Sequence, residues 1–270
     1  MTASSLDYAA VNGVYVLDRQ TGVETAKDVV VPFARGAVLP DRSGTGTASV
    51  DGAGVRIVIG QRPDATTIHA AAPSAGVEID VEIPLPPGHE SLGVVVPWSA
   101  RRFQYTVKDV GRPVSGRLRL PGPHEVAIDA ADSFAVLDHG RGKWPYRVSW
   151  NWAAGAGPGR AIQLGGKWTD GTGSTENGLF IGGRLHKIHE DLQWTYDPSD
   201  WLRPWRITGP RVEADFRPFH VRTARTELGL LGNRTRQCFG VFTGRARADD
   251  GQWIDLDGLT GWAEEVRNRW

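Results

Sequence analysis

The sequence predicts an all-β protein with one short helix at its C-terminus. Three observations carry that prediction. Thirty-four glycines, 17 prolines and 11 tryptophans against a single methionine describe short, turn-punctuated segments whose aromatic mass suits sheet surfaces. Strict apolar and polar alternation marks "VEIDVEI" from Val77 and "RVEADF" from Arg211, each the pattern of a strand with one wet face. Other apolar runs recur roughly every 8 to 12 residues, the spacing of sandwiches and barrels.

Taken in order, the expected strands begin with "GVYVLD" (Gly13), "DVVVPF" (Asp28) and "VRIVIG" (Val55), then "VEIDVEI", "LGVVVPW" (Leu92) and "FQYTVKD" (Phe103). "GRLRL" (Gly116), "HEVAID" (His124), "FAVLD" (Phe134), "YRVSWNW" (Tyr146) and "AIQLGG" (Ala161) follow. The last are "RLHKIHE" (Arg184), "LQWTY" (Leu192), "RVEADF", "RQCFGVFTGRA" (Arg236) and "QWIDLD" (Gln252). Turns such as "LPDRSGTG", "LPPGHE", "LPGPHE", "GAGPG" and "ADDG" separate them, rich in residues that preset a bend or accept positive φ. The tail "GLTGWAEEVRNRW" has the acidic start and basic end of a short helix. No repeat or linker divides the chain, but seven of the eleven tryptophans lie between Trp144 and Trp205. The expected seam is near Gly140, giving an aliphatic domain over 1–140 and a tryptophan-rich domain over 141–270.

Thirty-one basic and 31 acidic side chains cancel, so no global field draws the chain to nucleic acid or an anionic membrane. The single cysteine, Cys238, excludes an internal disulfide framework and fits a buried small hydrophobe in its alternating segment. With no basic leader and no long apolar run, the expectation is a cytoplasmic protein outside the membrane.

Metal and cofactor chemistry finds no pattern. "GGKWTDGTG" places Trp168 where a phosphate loop needs Ser or Thr. His186 and His189, three apart on a strand, face opposite ways and cannot share one ion without a bulge. What remains is polar residues set among aromatics. A carboxyl group in an aromatic cavity has its charged form disfavoured, so it can be a neutral acid near pH 7, and tryptophan faces attract a developing cation. Asp138, Glu176 and Asp197 are the candidate acids. Asn151, His186 and Tyr196 are candidates for orienting water or a carbonyl and Arg206 for binding substrate, with Trp150, Trp152, Trp194 and Trp205 as the wall. In "WPYRVSWNWAAGAG", Trp150 and Trp152 share one strand face and Asn151 the other. Alternation alone does not say which face lines a cavity.

"LDHGRGKWPYRVSWNWAAGAG", "TENGLFIGGRLHKI", "WTYDPSDWLRPWRI", "RQCFGVFTGRARADDG" and "LDGLTGWAEEVRNRW" resemble the bacterial domain-of-unknown-function family 2804. That family is similar to the lipocalin-like superfamily that includes carotenoid 1,2-hydratases and tocopherol cyclases. The resemblance implies two consecutive lipocalin-like antiparallel barrels or curved sheets, a ligand cavity, and no metal or organic cofactor. It transfers no catalytic residue. Three readings stand: an enzyme using a buried acid to hydrate, cyclise or isomerise an apolar isoprenoid, polyene or polyketide-like substrate; a non-catalytic carrier or sensor of an apolar small molecule; and a protein with a filled core.

Overall fold

The computed structural model describes residues 1–228 and 231–269. It divides into two compact units, Met1–Pro87 with Arg112–Ser133, and Gly88–Gly111 with Phe134–Trp270. One early segment, Gly88–Gly111, belongs to the second unit.

The first unit opens with β1 (Thr2–Ala3), β2 (Ala9–Leu17), β3 (Glu24–Pro32), β4 (Ala37–Val38), β5 (Gly46–Gly52), β6 (Val55–Gln61), β7 (Ala65–Ala72) and β8 (Val77–Pro84). Strands β9 (Leu92–Ser99) and β10 (Arg102–Pro113) carry the chain into the second unit, and β11 (Ser115–Arg119) and β12 (Glu125–Ile128) return to the first. The second unit then continues with β13 (Phe134–Lys143), β14 (Arg147–Gly157), β15 (Arg160–Gly166), β16 (Asn177–Ile181), β17 (Arg184–Ile188) and β18 (Gln193–Thr195). It ends with β19 (Trp205–Gly209), β20 (Val212–Leu228), β21 (Leu231–Arg247), β22 (Trp253–Asp255) and β23 (Thr260–Arg269).

In the first unit a sheet of order β1-β2-β3 accompanies one of order β12-β11-β8-β7-β6-β5-β4. The alternation of β8 is realised as read. Val77 and Ile83 are buried and Ile79 packs on the same core, while Glu78, Asp80 and Glu82 meet Arg119, Arg117 and Arg62 outside.

The second unit is built on a curled ten-stranded sheet of order β17-β16-β15-β14-β23-β21-β20-β19-β18, with β22 on β21. One face holds the main core, including Leu164, Leu179, Trp205, Phe216 and Phe242. The other face is covered by a three-stranded sheet, β13-β10-β9, through Leu92, Val110, Phe134 and Val136 against Trp152, Phe180 and Trp262.

Two expectations need correction. The tail is strand β23, antiparallel to both β14 and β21; among the described residues it forms no helix, and Trp270 lies outside them. Its charge gradient resembles a helix's, but two neighbouring strands offer its backbone a full ladder of hydrogen bonds, which decides the conformation. Strand β20 also does not stop at Phe216: it runs to Leu228, with a bulge at Pro218 where the missing N–H breaks the ladder.

Gly155, Gly261 and Gly240 lie side by side on β14, β23 and β21. A Cβ on Gly155 would sit 2.6 Å from the Phe242 ring, and one on Gly261 1.9 Å from the carbonyl oxygen of Ala154. Gly261→Ala is therefore expected to lower stability by about 2–3 kcal/mol or more. Gly93→Ala in β9, where nothing lies within 4 Å, should change it by under about 0.5 kcal/mol; denaturant midpoints compare the two.

Candidate active site

Strand β14 turns a different chemistry to each side of the ten-stranded sheet. Trp150 and Trp152 pair with Val266 and Glu264 of β23 and look toward the three-stranded sheet; Asn151 pairs with Glu265 and looks the other way. Both faces carry ionisable groups, all within the second unit.

On the tryptophan face, Lys108 of β10 is the centre. Its Nζ lies 2.8 Å from Asp138 Oδ2 of β13, 3.7 Å from Glu176 Oε1 and 4.0 Å from the Trp152 ring centroid. Thr106 donates to Asp138 Oδ1 at 3.2 Å, and Trp168 Nε1 donates to Glu176 Oε2 at 2.8 Å. Glu264 accepts from Trp150 Nε1 at 3.1 Å and from Gln237 Nε2 at 2.9 Å. The side chains of Lys108 and Glu176 are 6% and 3% exposed and that of Asp138 39%, so the cluster reaches solvent at Asp138.

Burial alone would push the Lys108 ammonium down, but Asp138 and Glu176 outweigh it and hold its pKa above the ordinary value. Burial pushes Glu176 up, against the pull of Lys108 and the Trp168 hydrogen bond. Burial likewise raises Glu264 to about 7, with the Trp150 hydrogen bond and Lys108 opposing. One ammonium, shared with Asp138, cannot balance the two buried carboxyl groups of Glu176 and Glu264, so protons are retained near neutrality.

On the opposite face, Tyr196 Oη donates to Glu265 and accepts from Lys167 Nζ at 2.9 Å and from Asn151 Nδ2 at 3.3 Å. Lys167 also donates to Glu265 at 2.7 Å and holds φ at 70°, a conformation that costs a non-glycine residue strain. Tyr196 stacks on Trp205 at 4.1 Å, and Trp194 meets Trp205 edge-on at 6.5 Å.

The residues singled out from the sequence are thus split. Asp138 and Glu176 meet at Lys108 beside Trp150 and Trp152, whereas Asn151, Tyr196, Trp194 and Trp205 gather on the other face. Asp197 sits in a loop, held by Ser199 and by Arg203 at 3.2 Å, and those hydrogen bonds lower its pKa. That environment is the opposite of what a neutral acid needs. His186 is at a rim, 3.2 Å from Asp249, and the exposed Arg206 pairs with Asp215 at 3.0 Å. Lys108 and Glu264 were not singled out from the sequence. Glu264 was hidden by the helical reading of the tail; on a strand, Glu264 and Glu265 fall on opposite faces and the pair becomes informative.

Among the described residues, His69, Glu78 and Asp80 of the first unit are close enough together to hold a metal ion. Their oxygens are already engaged: Asp80 by His69 at 2.7 Å and Arg117 at 3.6 Å, Glu78 by Arg119 at 2.7 Å. Two guanidiniums in the donor set disfavour a cation there. Among those residues no helix is long and apolar enough to cross a membrane.

Fold and cluster together define a lipocalin-like β-protein with a buried acid cluster on one face of a curled sheet. The chain belongs to the family described as a domain of unknown function, DUF2804, whose model matches residues 1–270. Among solved structures it is similar to kievitone hydratase from Nectria haematococca, at 10% identity and a TM-score of 0.53 over 99% of this chain and 82% of that one. It is also similar to a putative AttH from Nitrosomonas europaea, at 11% identity and a TM-score of 0.56 over 96% of this chain and 80% of that one. No curated protein sequence matches the chain.

Glu264 makes stability depend on pH. Its folded pKa of about 7 exceeds the ordinary 4.5, so the folded protein keeps a proton that the unfolded chain has released between those values. The contribution is full below the unfolded pKa and lost as pH rises through about 7. Glu264→Gln, with Gln237 free to turn its amide and accept, removes that loss. The variant is expected to gain about 3 kcal/mol on its parent between pH 4.5 and pH 8, read from urea midpoints at both.

Proposed function

We propose that the protein is a cofactor-independent acid–base enzyme that encloses an apolar substrate and hydrates, cyclises or isomerises it. The observation that carries this reading is Glu264, a buried carboxyl group beside Trp150 whose pKa, raised to about 7, keeps about half of it protonated at neutral pH. In the proposed step Glu264 gives its proton to an alkene carbon, where the π electron pair forms the new C–H bond, or to a carbonyl oxygen, where a lone pair forms the new O–H bond. Positive charge then develops on the substrate against the faces of Trp150 and Trp152. Water adds and then loses a proton in hydration, a second double bond adds and the new cation loses a neighbouring proton in cyclisation, and a neighbouring proton leaves directly in isomerisation. Asp138, 2.8 Å from Lys108 Nζ and open to solvent, takes up the departing proton.

The fold likeness to a protein named as a hydratase makes water addition the first reaction to test. Isoprenoids, polyenes and polyketide-like molecules are the substrate classes that suit an aromatic wall with an acid and no other polar demand.

Apolar alkenes and enones incubated in heavy water should gain deuterium, or the mass of one water, by mass spectrometry. Glu264→Gln should cut turnover by about 10²–10⁴ while ligand binding stays within about tenfold. Because the acid acts when protonated, the rate should be flat below and fall above about pH 7. Full turnover in Glu264→Gln, Glu176→Gln and Asp138→Asn alike would remove the proton-donor role.

A further inference from the structure

The hairpin that joins β9 to β10 ends beside a depression of about 570 Å³, lined by Trp98, Ser99, Ala100, Arg101, Arg102 and Pro145. All of it belongs to the second unit. Ser99 Oγ accepts from the backbone N–H groups of Arg101 at 3.2 Å and Arg102 at 3.1 Å, which fixes the turn that presents both guanidiniums. The two arginines are exposed, as are Lys143 and Arg147 on either side of the Pro145 turn. Among the described residues none of these four cations has a carboxylate partner. The segments "SARRFQYTV" and "HGRGKWPYRVSWN" that carry them contain no Asp or Glu. In a chain whose charges cancel overall, that concentration of Arg101, Arg102, Lys143 and Arg147 is local.

The depression is also coupled to the acid cluster. Trp98 meets Trp168 edge-on at 5.8 Å, and its Nε1 donates to the Trp168 carbonyl at 3.3 Å. Trp168 in turn donates to Glu176 at 2.8 Å. Two tryptophans therefore connect the arginines to a buried carboxyl group. Along β10, Lys108 stands six residues beyond Arg102, about 20 Å at the usual strand rise.

We infer that the depression is an oxyanion site, and that the substrate of the acid cluster is a long apolar molecule ending in a phosphate or carboxylate. Arg101 and Arg102 grip that headgroup with paired N–H donors, whose planar fork matches both oxyanions. The apolar body runs along Trp98 and Trp168 toward Glu176 and Glu264. This inference rests on the acid–base reading for the far end of the substrate, whereas the headgroup contact is testable by binding alone.

Dodecyl phosphate, dodecanoic acid and dodecanol, each below its aggregation limit, are the probes, with binding read from tryptophan fluorescence. At least one of the two anions should bind the parent protein about tenfold or more tighter than the alcohol. The tighter anion identifies the headgroup. That preference should shrink to under about threefold in Arg101→Ala/Arg102→Ala, and it should narrow between about 0.05 and 0.5 M salt. Glu264→Gln should keep it. Unchanged thermal melting of the double variant secures its fold. Equal affinity for all three probes, or a preference that survives loss of both arginines, overturns the oxyanion site. A headgroup preference alongside full turnover in the three carboxyl variants would leave the site standing and remove the acid reading instead.

Discussion

The interior of the second unit depends on one buried ammonium. Lys108 comes from the three-stranded sheet, as does Asp138; Glu264 and the two tryptophans come from the ten-stranded sheet, and Glu176 from the loop before β16. Without the lysine, the two buried carboxyl groups, Glu176 and Glu264, would have no countercharge beside them. Losing one partner of a buried ion pair costs about 3–5 kcal/mol, more than most single contacts contribute. With it, the charge deficit is only partly met, and the protons that remain settle on the most deeply desolvated groups, Glu176 and Glu264. The same arrangement that lets the two sheets close over polar groups thus makes an acid available near neutrality.

The two faces of β14 differ in how completely their hydrogen bonds are used. Tyr196 Oη accepts from Lys167 and Asn151 and donates to Glu265, which exhausts the phenol. A proton held in so complete a network is committed to structure. On the tryptophan face, by contrast, Glu176 accepts from Trp168 and Thr106 and Glu264 from Trp150 and Gln237, yet burial outweighs these bonds and raises the affinity of both for protons. This difference is why we propose the acid chemistry beside Trp150 and Trp152 and not beside Asn151, although both clusters are partly buried and charged.

Much of this was legible in the sequence where a signal is local. The alternation of "VEIDVEI" and "RVEADF" fixes which side chains enter the core, and Val212, Ala214 and Phe216 are all fully buried. Asp138 and Glu176 stood out as carboxyl groups among aromatics. Lys108 did not, because nothing near it in "FQYTVKD" signals a buried charge; its partners lie 30 and 68 residues away and meet it only through sheet packing. Glu264 was obscured because a strand in the middle of a sheet and a short helix share the charge gradient of "GWAEEVRNR". The arm of the long hairpin beyond Phe216 was missed for a related reason: "RPFHVRTARTEL" is polar on both sides, so it lacks the period that marks a half-buried strand.

Strand β10 carries cations at one end and the acid cluster's ammonium at the other, and the separation itself has a physical consequence. An oxyanion placed beside Glu176 or Glu264 would raise the cost of ionising them further and would compete with Asp138 for Lys108. At about 20 Å, more than twice the Debye length of about 8 Å at physiological salt, the headgroup and the acids leave each other's protonation largely undisturbed. The proposed headgroup would then contribute binding and orientation without altering the acid strength on which the proposed chemistry depends. A rigid strand is suited to this division, because its fixed rise converts residue number into distance and lets one element set both the grip and the reach.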